Sequence, residues 1–407
     1  MILHSLFRNH ADIHGDMNTV LKQLLGGYPS QAGISVSPDS AMRTAAVYAC
    51  VKVLSEDIGK LPCILYRRTS KNGRDSRIRA TDHPLYRVVN VKPNSLQTPM
   101  GFRETGTAAA VMRGNAISYI NRVGNGRITE LIPLHPDCVT IKINDLGARV
   151  YDYQPDKGAF RTLPQSDVLH VMGLSLNGWS GCSPITYAKE TIGLTQATER
   201  HGAKVFSNGA RMGGILTYPG RFKDPSTGKR VGSEFDEVTS GENAHRTIVL
   251  EEGMKWEQVT MNADDAQYLE TRQFQIPEIA RFFRMPLHKI GDLTRATFSN
   301  IEHQALEYVI DTLGPWLVRW EQAMNIALLN PKEQEEYYFE FLVDGLLRGD
   351  IKSRYEAYSR GILSGFLTRN ECRQRENLEW IDGLDEPLTP SNMALGTDPV
   401  QGSSNGI

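Results

Sequence analysis

The chain has 407 residues, long enough for two or three packed units, and its 45 Lys plus Arg against 47 Asp plus Glu leave a formal charge of -2. That balance excludes an overall basic field pulling the chain onto nucleic acid, so any such contact must be local or weak. Five widely spaced cysteines, Cys50, Cys63, Cys138, Cys182 and Cys372, fit a reduced, cytosolic protein without a disulfide framework, and neither an export leader nor an uninterrupted apolar span of membrane length is present.

Residues 1–39 mix Gly, Ser, Pro and Asn without a period and read as an arm with little structure of its own. From Met42 the pattern changes. Val47, Val51, Leu54, Ile58 and Leu61 recur in steps of four and three, the stripe of one helix face, and Pro62 stops it. "CILYRR" follows as a strand that turns at Asn72-Gly73, and Asn125-Gly126 gives the same hairpin signal between "NAISYINR" and "RITELIPL". A β-rich module over 62–172 is expected.

Ser183 as N-cap, Pro184 at the first helical position and Gly209 as C-terminal cap bound one long helix. "GGILTY" and "RTIVLEEGMKWEQVTM" read as strands around a Gly, Ser and Lys rich connector, 221–245. A second rod begins near Asn262 with Asp264 and Asp265 in its first turn, and Pro277 is expected to kink or restart it. The stretch "GDLTRATFSNIEHQALEYV" then passes from small and hydroxyl-bearing residues into a strong helix, whose start Ser299 and Glu302 fix as a capping box. That helix runs to about Asn330, bent at Gly314-Pro315, with Trp316 and Trp320 on one face. Beyond Pro331 two short helices are expected, Asp350 capping the first, Gly365 ending it, and Thr368 with Glu371 capping the second. Residues 386–407 have a disordered composition.

No catalytic constellation emerges. Gly59-Lys60 and Gly228-Lys229 lack both the hydroxyl and the upstream glycine of a phosphate-binding loop. "NGWSGCS" fails as a hydrolase elbow because Cys182 stands where close backbone approach requires glycine. His135 and Cys138 make half a zinc site without a second pair, and a turn explains them. The acidic clusters at Asp264-Asp265, Glu251-Glu252 and Glu333 to Glu336 have structural explanations as a helix start, a hairpin and a solvated face. No catalytic residue, metal or cofactor is expected, and a chain of rods and caps without chemistry reads as a mechanical component.

Several blocks in order carry a resemblance. "AVYACVKVLSEDIGKLPCILYRR", "HPLYRVVNVKPN", "ELIPLHPDCV", "SPITYAKETIGL", "ERHGAKVFSNGAR", "LETRQFQIPEIARFFRMPLHKIGDLTRATFSNIEHQALEYVIDTLGPWLVRWEQAMN" and "GILSGFLTRNECR" together resemble the portal proteins of tailed bacteriophages, of the Hong Kong phage type, over about residues 40–385. The resemblance implies an α+β portal fold with a β-rich wing, a two-helix stem, a small β-containing clip and a helical crown, assembled as a ring, typically dodecameric, at one capsid vertex. It implies an N-terminal arm over 1–39 and a wing over 40–182. Stem helices would fall at 183–211 and 262–285, flanking a clip at 212–261. A tunnel loop at 286–300, a return into the wing at 301–339, a crown at 340–385 and a tail at 386–407 would follow. The connector 221–245 looks shorter and less helical than in many relatives, which leaves the clip's shape open. Implied partners are further copies of the chain, double-stranded DNA held non-specifically, the terminase large subunit, the major capsid protein or scaffold, and a head-tail adaptor, with no membrane. The implied location is the virion, with the host cytoplasm during assembly.

Within that frame Thr294, Arg295, Ala296, Thr297, Phe298, Ser299 and Asn300 are expected to line the narrowest passage, anchored by the Ser299 and Glu302 box. Arg295 is the sole charge between Asp292 and Glu302. Ring symmetry would turn one arginine per chain into a positive collar, while Thr and Ser offer neutral contacts that do not stall a charged duplex. The competing readings are a head-tail adaptor ring, which would be shorter and lack a double-rod stem, and a capsid-associated enzyme with an unrecognised site.

Overall fold

Structure begins earlier than the composition suggested. The structure, a computed structural model, describes residues 27–388 except 72–73, 125, 156, 208–213, 221–223, 240–249, 251–252, 259–263, 293–303, 344–350 and 377. Tyr28–Pro29 (β1) pairs antiparallel with Ser35–Val36 (β2), and Ser37 and Ser40 form a capping box on Pro38–Ala41 (α1). The Gln31 N–H donates to Glu190 at 2.8 Å, and Val36 is fully buried. The expectation of an unstructured arm therefore fails for residues 27–39, because contacts from distant sequence order a stretch with no period of its own. The rest of that arm lies outside the described residues.

The helical stripe becomes Ala45–Lys60 (α2), with Val47, Val51, Leu54 and Ile58 buried, and Leu61 leaves the helix in extended conformation ahead of Pro62. Cys63–Lys71 (β3) and Arg74–Arg79 (β4) form the expected hairpin. Pro84–Asn90 (α3) and Pro99–Arg113 (α4) follow, capped by the His83 and Thr98 side chains, with a proline near each start where its missing N–H costs nothing. Asn115–Arg122 (β5) and Ile128–Leu134 (β6) make the second hairpin. Val139–Ile143 (β7), Arg149–Tyr153 (β8) and Arg161–Pro164 (β9) form an antiparallel meander, and Val168–Met172 (β10) pairs with β5. Ile117, Leu134, Tyr151, Leu163 and Val168 bury together between these layers.

The first rod is interrupted. Ser183 caps Pro184–Tyr187 (α5), Ala188 falls out of helical geometry, and Lys189–Ser207 (α6) continues for 19 residues. Gly214–Thr217 (β11) pairs antiparallel with Lys255–Gln258 (β12), as the sequence suggested. Between them the expectation of a poorly helical connector is overturned, since Pro225–Thr239 (α7) is a 15-residue helix. Asp224 accepts from the Ser226 N–H at 3.1 Å, Arg230 and Glu234 pair one turn apart, and Phe235 faces Trp256 at 6.5 Å between ring centroids. Start signal, apolar face and partner outweigh the low helix propensity of two glycines and two serines.

Asp264–Phe282 (α8) runs through Pro277 without restarting. It lies beside α6, where Gln275 donates to Thr198 at 3.2 Å and Arg272 meets Glu199 at 3.5 Å. Residues 304–307 are helical, Tyr308–Leu313 widen into a π turn, and Gly314–Leu328 (α9) completes the rod. Pro315 supplies the reason, because a proline offers no donor to the preceding turn and its ring collides with the carbonyl there. Asn330 caps Pro331–Glu336 (α10), and Tyr337–Phe341 (β13) returns to pair with β3. Among the described residues the sheets are therefore β13-β3-β4, β10-β5-β6, β7-β8-β9 and the two-stranded pairs β1-β2 and β11-β12. Trp320 sits at the centre of the packing, 1% exposed, its indole N–H donating to Thr107 at 3.1 Å. It packs so close to Gly106 that a Cβ there would stand 2.8 Å from the ring.

A second unit spans 343–407. Ile351–Leu363 (α11) and Arg369–Arg375 (α12) are joined at Gly365, whose φ is 76°, and the Thr368–Glu371 capping box is present. Glu376 accepts from Arg354 Nη2 at 3.0 Å and from the Tyr358 hydroxyl at 2.9 Å. Asn370, 1% exposed, donates to the Ile381 carbonyl and to Asp385 at 2.8 and 2.9 Å, which folds the chain back as far as Asp385.

Candidate functional site

The segment expected to line a channel, Thr294 to Asn300 with the Ser299 and Glu302 box, lies outside the described residues, as do Asp350 and Gly209. Its seat does not. Asp57, on the buried side of α2, is 7% exposed. The Tyr308 hydroxyl donates to Asp57 Oδ2 at 2.8 Å. Lys289 Nζ stands 4.0 Å from the same oxygen and 4.5 Å from the centre of the Tyr308 ring, and Lys60 pairs with Asp57 Oδ1. Lys289 precedes the segment 293–303 and Tyr308 follows it, so both ends of that segment are tied to one carboxylate.

Chemistry dictates this grouping. A buried carboxylate is costly unless its charge is compensated and its oxygens are hydrogen-bonded. Two ammonium groups and a phenol do both. Burial, and after it the Asp57 charge, raises the Tyr308 pKa above the ordinary phenol value, which keeps the hydroxyl a donor.

Backbone geometry fixes the approach. Arg284, at φ 53°, is the one non-glycine residue with positive φ among the described residues, and its carbonyl accepts from Thr312 Oγ1 at 2.6 Å. Leu287–Ile290 form a 3-10 turn ended by Gly291 at φ 86°, so the start of the expected tunnel loop is an ordered turn. The turn meets the π segment from the other side. Irregular backbone thus stands on both flanks of 293–303.

A second junction positions the long helices. A Cβ on Gly181 would lie 1.9 Å from the Gly114 carbonyl oxygen, and one on Gly114, at φ 82°, would lie 2.5 Å from the Cys182 carbonyl. Asn115 Oδ1 accepts from Gly181 N–H at 2.7 Å and meets His170 Nε2 at 2.9 Å, while the Tyr151 hydroxyl reaches His170 Nδ1 at 3.1 Å. Burial, reinforced by Arg149, pushes the His170 pKa down to about 3, so the ring is neutral. "NGWSGCS" is therefore the tight backbone crossing ahead of α5. His135 and Cys138 bound a 3-10 turn, and no group of three His, Cys, Asp or Glu able to hold a metal occurs among the described residues. Trp320 is a core residue. Glu333 closes the capping box of α10 by accepting from the Asn330 N–H, and Asp264 opens α8.

Sequence reasoning did not single out Asp57, Lys289 or Tyr308. The available signal was an acid within the apolar stripe of α2, at a position that the helix buries.

The described residues thus present paired long helices, a helix and two strands in the interval between them, and, on either side of 293–303, Lys289 and Tyr308 gathered on one carboxylate. A family profile described as phage portal protein matches residues 45–377, and the chain belongs to that family. It is 33% identical over 392 residues to the probable portal protein of Streptomyces phage phiC31, covering 92% of this chain and 83% of that protein. With the portal protein of Enterobacteria phage HK97 it shares 30% identity over 367 residues, 89% of this chain and 85% of the other. Among solved structures, an HK97-family portal protein from Corynebacterium diphtheriae superposes with a TM-score of 0.57 at 16% identity, covering 80% of this chain and 99% of that one. A chain in the neck of a gene transfer agent particle gives 0.58 at 21% identity, with coverages of 90% and 95%, and a neck computed with C12 symmetry gives 0.55. The fold is the α+β portal fold. The family is described by a structural part and by no reaction. No helix among the described residues is long and apolar enough to cross a membrane.

Proposed function

We propose that copies of this chain close into a dodecameric ring at one capsid vertex, and that double-stranded DNA passes through the ring during packaging and ejection. In this reading residues 183–211 and 262–285, with α6 and α8 at their centres, form the stem, residues 212–261 form the clip, residues 340–385 form the crown, and Thr294 to Asn300 within the loop 286–300 lie nearest the axis. The carrying observation is the family match over 45–377, inside which both flanks of 293–303 are tied to buried Asp57. A segment that contacts moving DNA needs firm ends and few charges. Asp57 supplies the firm ends, and Thr294 to Asn300 carry one charge, on Arg295.

The chain does mechanical work without chemistry of its own, so energy comes from a motor docked at the clip, for which the terminase large subunit is the partner. The same end later receives the head-tail adaptor, and the wing meets the capsid protein or scaffold. Assembly takes place in the host cytoplasm. Arg295→Glu tests the reading. Reversing one charge per subunit at the narrowest point lowers packaged DNA per particle while rings of normal mass still form. Rings that fail to assemble would make Arg295 structural, and normal packaging would remove the segment from the DNA path.

A further inference from the structure

A cavity of about 1190 Å³ opens between α9 and the sheet β10-β5-β6, with β8 on one side. Arg122, Arg127, Arg149 and Arg319 line it together with His83 and His170, and Glu333 is the one carboxylate among its described lining residues. That carboxylate is engaged already. Its Oε2 accepts from the Asn330 N–H at 2.9 Å, and its Oε1 stands 3.5 Å from His83.

The arginines differ in how they are compensated. Arg122 meets Asp167 at 3.3 Å and donates to the Ser166 carbonyl at 2.9 Å. Arg149 faces neutral groups, the Gly178 carbonyl at 3.4 Å and His170 at 3.5 Å, and its Nε is buried without a hydrogen-bond partner. Arg319 lays its guanidinium over the Trp316 ring at 5.0 Å. Neither Arg149 nor Arg319 enters an ion pair among the described residues. Two guanidinium groups without a counter-charge, brought to one cavity from α9 and β8, carry an electrostatic cost that a bound anion would remove. The remaining polar lining, including Ser166, Gln322 and Asn330, offers neutral donors, and the volume exceeds what a small phosphate needs.

We infer that this cavity is a phosphate-binding site, with Arg149 and Arg319 holding the anion through their planar donor forks. Guanidinium matches phosphate oxygens two at a time, which a single point charge does not. The phosphate belongs either to a free anion such as pyrophosphate or to a nucleic-acid backbone. The site is independent of the channel reading, since none of its residues lies in 286–303.

The test is calorimetric titration of the full chain with pyrophosphate, and separately with a short DNA duplex, at constant ionic strength. Wild type is compared with Arg149→Gln and Arg319→Gln, and thermal melting and particle mass confirm that each variant folds. Arg319→Gln keeps the reasoning testable should Arg149, which contacts His170, prove necessary for folding. The inference predicts saturable binding of pyrophosphate that weakens at least roughly tenfold in either folded variant, one lost charged contact being worth about that factor. Binding of duplex alone, weakened by the same substitutions, would keep the site and assign its ligand to the DNA backbone. No binding of either probe, or binding equal in wild type and variants, would overturn it. So would variants that fail to form rings and show no phosphate effect, since the arginines would then be receiving an acidic segment of a neighbouring copy.

Discussion

Replacing Tyr308 by phenylalanine removes one oxygen from a site that is otherwise unchanged. The ring is 1% exposed and remains in place, so no cavity forms, and Lys289 keeps an aromatic face at 4.5 Å. What disappears is the 2.8 Å hydrogen bond to Asp57 Oδ2, a carboxylate only 7% exposed. Lys60 stays on the other oxygen, and Lys289 stands 4.0 Å from Oδ2, beyond hydrogen-bond length. A hydrogen bond to a charged group contributes about 1.5–3 kcal/mol, and a buried acceptor left unpaired sits at the upper part of that range. Equilibrium urea unfolding at fixed protein concentration, followed by circular dichroism, should show Tyr308→Phe destabilised by that amount. Asp57→Asn and the double variant complete a cycle whose interaction energy should exceed about 1 kcal/mol. A Tyr308→Phe protein within about 0.5 kcal/mol of wild type, the range of an ordinary surface change, would refute the claim that this bond ties the segment's flank to α2.

Gly181→Ala places a Cβ 1.9 Å from a backbone oxygen that cannot move aside, so soluble folded protein should be lost. Gly232→Ala is its control in expression yield and melting temperature, since nothing stands within 4 Å of that position in α7 and the substitution should be neutral or stabilise by up to about 1 kcal/mol. His170→Gln tests the pH linkage. The folded-state pKa, about 3, lies below the unfolded value near 6.5, so the wild-type contribution is fully present above 6.5 and falls as the unfolded chain takes up a proton. Between pH 6 and 5 wild type should lose about 1 kcal/mol more than the variant, read from urea midpoints at the two pH values. Trp320→Ala removes the most central ring and its hydrogen bond to Thr107, and should cost about 3–5 kcal/mol in the same unfolding assay.

Periodic elements were legible. The α2 stripe, both Asn-Gly hairpins, β11 and the Thr368 capping box follow from local rules, and the structure has them where those rules put them, with Lys255–Gln258 the described strand of the longer stretch expected opposite β11. The misses share a cause, which is that distant residues supply the decisive contact. β13 alternates buried Tyr337, Phe339 and Phe341 with more exposed Tyr338 and Glu340, a period-two signal overshadowed by the acidic run before it. Helix α7 carries its own start signal in Asp224-Pro225, yet its apolar face becomes meaningful only once Trp256 is opposite. In the stretch 27–40, Gln31 and Ser40 are held by Glu190 and Gln196, more than a hundred positions away. At the site, the sequence marked the segment between Asp292 and Glu302 by its lack of charge. Its holder, Asp57, looked like one more polar residue at the end of a helix. Burial identifies it, and burial is a tertiary property.

The central claim is that many copies form an annulus with 293–303 facing its open axis. Electron-microscopic reconstruction of the purified particle, with its mass measured on the same sample, tests that directly. The account predicts a ring of twelve copies of the 45.5 kDa chain, about 546 kDa, with residues 293–303 at the inner edge between Lys289 and Tyr308. A single subunit under every condition, or a ring with that segment on its outer rim, would contradict it.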